Sequence, residues 1–149
     1  RSLFLQTLVY FSSSVQTAFQ LDYHAHRFAD TPADEPSAQR RGHRRLHETW
    51  QVIDNQIGDK QWILGDQFSA ADIYLFMLTT WLETSRGHPS IHKFPNVQRV
   101  ADAVMLRSSV QPVFGNKNES FFAKRASYFL WFHNNLRSEE HTSELQSFE

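Results

Sequence analysis

The chain has 149 residues, which suffices for one domain but not for two of ordinary size. Its hydrophobic content of 40% supports a packed core, and a formal net charge of −1 gives no basic surface for nucleic acid. The chain contains no cysteine, which excludes a disulfide framework and a thiolate zinc site, and we expect a cytoplasmic protein. No apolar run reaches the roughly 18 residues of a membrane span. Since the chain begins with Arg1 rather than Met, we expect further sequence before it.

The first predicted helix covers residues 1 to about 27. Apolar side chains recur in it at spacings of three and four residues, namely Phe4, Leu8, Phe11, Val15 and Phe19. Three consecutive serines in its middle have low helix propensity, and their small side chains would let another backbone or a ligand come close. A loop with two prolines follows, from 28 to 37.

A second helix is predicted from about 36 to 58, with Pro36 in its first turn and Gly58 at its end. Its inner face is expected to consist of Leu46, Trp50, Ile53 and Ile57. Its outer face is basic and consists of Arg40, Arg41, Arg44 and Arg45. These arginines indicate either a solvated surface or a surface that meets an anion or an acidic partner.

The third predicted helix runs from about 70 to 84 and starts with a strong cap. Ser69 can act as the N-cap, and Asp72 three residues later can reach back to the Ser69 N–H, as in a capping box. Phe68 and Ile73 occupy the positions of a hydrophobic staple. The helix is so apolar, with Met77 among its residues, that we expect it to be buried on nearly every side.

A fourth helix is predicted to begin near Pro95, and a short turn near residues 108 to 113 closes the domain. No segment alternates in the manner of a strand. We therefore predict an all-α fold, an irregular bundle of four to five helices, over residues 1–114.

Two histidine pairs raise the question of a metal site. His24 and His26 are two residues apart, and His43 and His47 would share one face of a helix. Neither pair has an obvious third ligand, and the surrounding arginines repel cations, so a solvated polar face is the favoured interpretation and no metal site is predicted. The sequence also lacks a phosphate-binding glycine loop and any recognisable catalytic triad.

The last 35 residues fall outside this pattern. Residues 137–149 begin with RSEEHTSELQS, which looks like a translated sequencing adapter rather than evolved protein. Residues 115–136 contain an apolar and basic stretch that allows three interpretations. The stretch forms a helix at a membrane surface, or it forms a helix docked on the bundle, or it results from translation beyond the native reading frame.

The segment from Trp62 to Phe76 fits the pattern W-x-L-G-x-x-F-S-x-A-D-x-Y-L-F. This pattern resembles the central helix of the C-terminal domain in cytosolic glutathione transferases, and the chain is similar to bacterial beta-like members. The resemblance implies that a thioredoxin-like N-terminal domain, which activates the thiol of the co-substrate glutathione, is missing here. It also implies a homodimer and a pocket for a hydrophobic electrophile.

The resemblance places site residues mainly on the first helix. The positions that face glutathione in beta-like members are Val9, Ser13 and Gln16, of which Val9 and Gln16 replace the usual Asn and His. We predict Ser13 and Gln16 as glutathione contacts, whereas Tyr10 and Trp81, the latter on the central helix, would line the electrophile pocket. Ser69 and Asp72 would have a structural role, and no catalytic residue is predicted.

Three functions are consistent with these features. The first is the electrophile-pocket domain of a glutathione transferase, inactive on its own. The second is a non-catalytic interaction module with the same fold, which the substitutions at Val9 and Gln16 favour slightly. The third and weakest is a membrane-interacting protein that uses residues 119 to 135.

Overall fold

The computed structural model describes residues 2–114, which form a helical bundle. Its α-helices are α1 (Ser2–Tyr10), α2 (Gln16–Tyr23), α3 (Glu35–Ile57), α4 (Ala70–Thr79), α5 (Pro95–Met105) and the short α6 (Gln111–Phe114). A π-helical segment, Phe11–Val15, joins α1 to α2, so these two form one continuous helical run. The part of the chain that the structure describes contains no strand, which confirms the all-α prediction. None of these helices has the length and apolar character required to cross a membrane.

The predictions for the two C-terminal segments, 115–136 and 137–149, lie outside the described residues.

The first helix differs from the uninterrupted helix that the sequence predicts. Its backbone widens at the π-helical segment, and α2 ends at Tyr23, before a short 3₁₀ turn at Ala25–Arg27. The hydroxyls of Ser12 and Ser13 both donate to the backbone carbonyl of Val9, over 3.1 and 2.7 Å. Such side-chain bonds compete with the helical backbone ladder, and π segments of this kind often coincide with functional sites.

Helix α3 packs closely on α2 through a position without a side chain. A Cβ atom added at Gly42 would lie 3.0 Å from the carbonyl oxygen of Ala18 and from Cβ of Leu21. The predicted inner face of α3 is confirmed, since Leu46, Trp50, Ile53 and Ile57 are all buried. The outer face is exposed, as expected from its arginines.

Helix α4 starts with both bonds of a capping box. The Ser69 hydroxyl accepts from the N–H of Ala71 over 3.2 Å, and the Asp72 carboxylate accepts from the N–H of Ser69 over 2.8 Å. The other carboxylate oxygen of Asp72 accepts from the N–H of Ile63 over 2.9 Å. One fully buried side chain therefore fixes both the helix start and the loop before it.

Two expectations about α4 are wrong. The helix ends at Thr79 rather than near residue 84, because the hydroxyls of Thr79 and Thr80 donate back to carbonyls in the last turn, at Phe76 and Met77. It is also not buried on nearly every side, since Ile73 is 50% exposed and Met77 36% exposed. The core lies along the opposite face of the helix, which carries Leu75 and Leu78.

The predicted hydrophobic staple also takes a different form. The ring of Phe68 lies 5.0 Å from that of Trp62, with the guanidinium of Arg107 3.7 Å from its centroid. Ile73, the expected second member of the staple, is half exposed. Phe68 is therefore held by a tryptophan and a cation–π contact.

Helix α5 receives its cap from another helix. Asp54 of α3 accepts from the N–H of Asn96 over 2.7 Å and from that of Val97 over 3.0 Å, which satisfies two donors in the first turn of α5. The core face of α5 consists of four buried residues, namely Val97, Val100, Ala101 and Val104.

The replacement Asp72→Ala is predicted to destabilise the fold. It removes the acceptor for the N–H groups of Ile63 and Ser69 and for the Ser69 hydroxyl. We expect the free energy of unfolding to fall by about 2–4 kcal/mol, since a lost cap and a buried unpaired N–H both contribute. Urea unfolding followed by circular dichroism measures this change. Asp66→Ala, at an exposed position in the preceding loop, is the control, and equal losses in the two variants would contradict the prediction.

Candidate functional site

The polar residues predicted on the first helix lie around the π-helical segment. Tyr10 is the last residue of α1, Ser13 is an exposed residue of the π segment, and Gln16 is the first residue of α2. The Ser13 hydroxyl donates to the carbonyl of Val9, so its oxygen lone pairs remain available as acceptors. Val9 itself is 61% exposed, which leaves an apolar side chain at the surface beside these polar groups.

Gln16 is connected to the central helix by a hydrogen bond. The Tyr74 hydroxyl of α4 donates to Oε1 of Gln16 over 2.9 Å, across a sequence separation of 58 residues. The ring of Tyr74 meets that of the buried Phe11 edge-on, with centroids 5.2 Å apart. Burial raises the pKa of the Tyr74 hydroxyl, so this group remains a donor at neutral pH. No sequence pattern indicates this role for Tyr74.

The pKa of Tyr10 depends on burial and on a charged residue of α3. Burial raises the pKa of its hydroxyl, and the positive charge of Arg45 on α3 opposes that effect. The hydroxyl therefore stays protonated near neutral pH, and it can serve as a hydrogen-bond donor. The pKa of Tyr10 is therefore affected by a charge on α3, whereas Gln16 is hydrogen-bonded to a residue of α4.

Trp81 lies just beyond the end of α4 and not on the central helix, where the sequence analysis placed it. Its backbone carbonyl accepts from the hydroxyl of Tyr23 over 2.9 Å. Its ring meets Phe19 edge-on, with centroids 5.5 Å apart. These contacts place Trp81 beside the C-terminal half of α2, whereas Ser13 and Gln16 lie around the N-terminus of that helix.

A second polar cluster surrounds Asp22, which is 3% exposed. One of its oxygens accepts from Nε2 of His88 and from Nε of Arg86, each over 2.9 Å, and the other lies 3.2 Å from Nε2 of His43. No sequence pattern singles out His88, although this residue is buried. His43 does not form a pair with His47, whose ring packs against Phe94 at 5.6 Å instead.

The loop that carries His88 is shaped to fit this cluster. Gly87 has a φ of +91°, and a Cβ atom there would lie 3.0 Å from Cε1 of His43. The guanidinium of Arg86 lies 4.6 Å from the ring centroid of Tyr23, which adds a cation–π contact to its bond with Asp22.

The hydrogen bonds of His88 define which of its nitrogens carries the proton. Its Nδ1 accepts from the backbone N–H of Glu83 over 3.0 Å, so that nitrogen has no proton, and Nε2 must carry one to donate to Asp22. The possible ligand atoms of Asp22, His43 and His88 lie within 4.8 Å of one another. However, a protonated Nε2 has no lone pair for a cation, and Arg86 already neutralises the carboxylate. The arrangement is that of an ion-pair network rather than a metal site.

The pKa of Asp22 reflects this network. Burial raises it, but hydrogen bonds from His88 and Arg86, together with the positive field of Arg86, outweigh burial and lower the pKa to about 2. Asp22 is therefore ionised throughout the neutral range and holds the loop around His88 against α2.

The fold and the capped central helix define a class, namely an all-α domain built around one central helix with an N-terminal capping box. Residues 36–103 match the family model described as the glutathione S-transferase C-terminal domain. Over these residues the chain is therefore similar to the C-terminal domain of glutathione S-transferases, as the resemblance predicts. Two proteins of Nicotiana tabacum, both named probable glutathione S-transferase, are 31% and 30% identical to it over 94 residues. In each case the match covers 58% of this chain and 42% of the relative.

Two solved structures share the fold. One is a glutathione transferase homologue from Sulfitobacter with bound glutathione, with a TM-score of 0.64 and 21% identity over 72% of this chain and 57% of the other. The other is a ternary complex of BphK, a bacterial glutathione transferase, with a TM-score of 0.59 and 22% identity over 81% of this chain and 52% of the other. The more specific resemblance to beta-like members stays a prediction.

The low pKa of Asp22 predicts how stability depends on pH. An unfolded Asp titrates near about pH 3.9, so below that pH the unfolded chain binds more protons than the folded one. The stabilisation is complete above about pH 5, and about 2 kcal/mol of it is lost as the pH falls to about 2. We expect the difference in unfolding free energy between the wild type and Asp22→Asn to shrink by that amount. Asp102→Asn, at an exposed position, is the control. A constant difference for Asp22→Asn would contradict the prediction.

Proposed function

We propose that the chain forms the electrophile-pocket part of a glutathione transferase that conjugates glutathione to small hydrophobic electrophiles. The observation that carries this proposal is the family match over residues 36–103. The chain spans 42% of the length of the curated relatives it matches, so this activity would belong to a longer protein. In that protein, which we expect to form a homodimer, a thioredoxin-like domain would activate the thiol of glutathione.

The reaction needs little acid–base chemistry from this domain. The glutathione thiol loses its proton, and the resulting thiolate attacks the electrophile to form a carbon–sulfur bond. Ser13 and Gln16 would contact glutathione, and neither side chain can act as a base near neutral pH. Tyr10 and Trp81 would line the electrophile pocket, which typically combines apolar walls with a few placed polar groups.

A non-catalytic interaction module is the second candidate function. An exposed apolar side chain at Val9, together with Gln16 whose amide oxygen is already bonded to Tyr74, supports this alternative. An apolar side chain exposed at the surface would suit contact with a protein partner. The two candidates differ in whether glutathione is consumed.

The test compares the isolated chain with a fusion that places the thioredoxin-like domain of a bacterial glutathione transferase ahead of it. The measurement is the conjugation of glutathione to a chlorodinitrobenzene electrophile. We expect no acceleration by the isolated chain, because neither Ser13 nor Gln16 can ionise the thiol. We expect a clear acceleration by the fusion.

The control is the same fusion with its thiol-activating residue replaced, which should fall to the uncatalysed rate. Conjugation by the isolated chain would contradict the proposal. A folded fusion that binds glutathione and conjugates no electrophile would support the interaction module instead.

A further inference from the structure

The amide oxygen and the amide nitrogen of Gln16 differ in their hydrogen bonding. Its oxygen accepts from the Tyr74 hydroxyl at 2.9 Å. Its amide nitrogen has no hydrogen-bond partner within residues 2–114. A glutamine side chain can accept through oxygen and donate through nitrogen, so a fixed oxygen leaves two N–H donors for a ligand.

Tyr74 is well suited to hold the amide in this orientation. Its ring is anchored edge-on against the fully buried Phe11, and its hydroxyl projects toward the first residue of α2. Burial favours the neutral phenol, so the hydroxyl keeps the proton that it donates. The bond joins two helices that are distant in sequence, which makes it a property of the packed bundle rather than of the first helix.

Ser13, three residues before Gln16, offers a ligand the opposite hydrogen-bonding capacity. Its hydroxyl proton is committed to the carbonyl of Val9, over 2.7 Å, so it offers a ligand only its oxygen lone pairs. The two residues lie three positions apart, on either side of the junction between the π-helical segment and α2. Ser13 therefore presents an acceptor and Gln16 presents donors on the same helical run.

We propose that Tyr74 is a positioning residue that holds Gln16 as a donor only, so that this surface selects a carboxylate or carbonyl group of the ligand at Gln16 and an N–H group at Ser13. The inference rests on the proposed function, because glutathione, a peptide with two carboxylates, carries both kinds of group. Tyr74 itself does not touch the ligand.

The first measurement needs no ligand. In nuclear magnetic resonance spectra of the whole chain, the side-chain NH₂ signals of Gln16 should shift in Tyr74→Phe and should stay in place in Tyr23→Phe. Tyr23→Phe is a matched control, since it also removes a tyrosine hydroxyl that donates to an oxygen in the bundle, the Trp81 carbonyl. Unchanged Gln16 signals in Tyr74→Phe would overturn the positioning role.

The second measurement titrates the same samples with glutathione. We expect Tyr74→Phe to raise the dissociation constant roughly fivefold, the equivalent of one hydrogen bond. Gln16→Glu keeps an acceptor for Tyr74, so folding is preserved, but it replaces the donors by a negative charge. Binding of glutathione should then weaken by more than about tenfold. For the diethyl ester of glutathione, which lacks the carboxylate charges, the replacement Gln16→Glu should weaken binding by a smaller factor.

The outcomes separate the two proposals. If glutathione shifts signals of the first helix equally in the wild type, Tyr74→Phe and Gln16→Glu, the donor-only inference is wrong and the proposed function is unaffected. If glutathione shifts no signal of the first helix in the wild type, the glutathione contacts at Ser13 and Gln16 are themselves wrong.

Discussion

The carboxylate of Asp72 is the contact on which the rest of the bundle depends, because one buried side chain joins two segments of the chain. One oxygen holds the N–H of Ile63 in the loop after α3, and the other caps α4 through Ser69. The loop inserts Trp62 and Ile63 into the core, and α4 then packs against α1 and α5. The direction of the central helix and the position of the apolar loop are therefore set together.

Two further carboxylates follow the same principle at other junctions. Asp54 of α3 caps α5, and Asp22 of α2 holds the loop that contains His88. Burying a charge is costly unless hydrogen bonds compensate, and each of these carboxylates accepts at least two. An unpaired carboxylate or an uncapped helix end would be left behind if either partner were lost. These junctions thus tie the bundle to one arrangement of its helices, beyond what its apolar core alone requires.

The sequence predicts what short-range chemistry controls and misses what depends on packing. The pair Ser69 and Asp72 is recognisable because a capping box has a fixed spacing of three residues. The hydrogen bond between Asp22 and His88 joins residues 66 positions apart, so no local sequence pattern indicates it. The predicted end of α4 lies too far along the chain because apolar periodicity continues past Thr79. In the structure the Thr79 hydroxyl donates to a carbonyl of the last turn, and the helix ends there. Periodicity likewise cannot show that Ile73 faces outward.

The candidate site shows the same division at the level of function. Resemblance supplies the identities of Ser13 and Gln16 as candidates, but the polarity that each presents depends on its hydrogen-bond partner. Val9 is close in sequence to Ser13, whereas Tyr74 reaches Gln16 only because α4 packs beside the first helix. A glutamine held in this way can orient a ligand and cannot remove a proton. Under the proposed function, thiol activation would therefore come from outside this surface, in keeping with the proposed division of binding and chemistry between two domains.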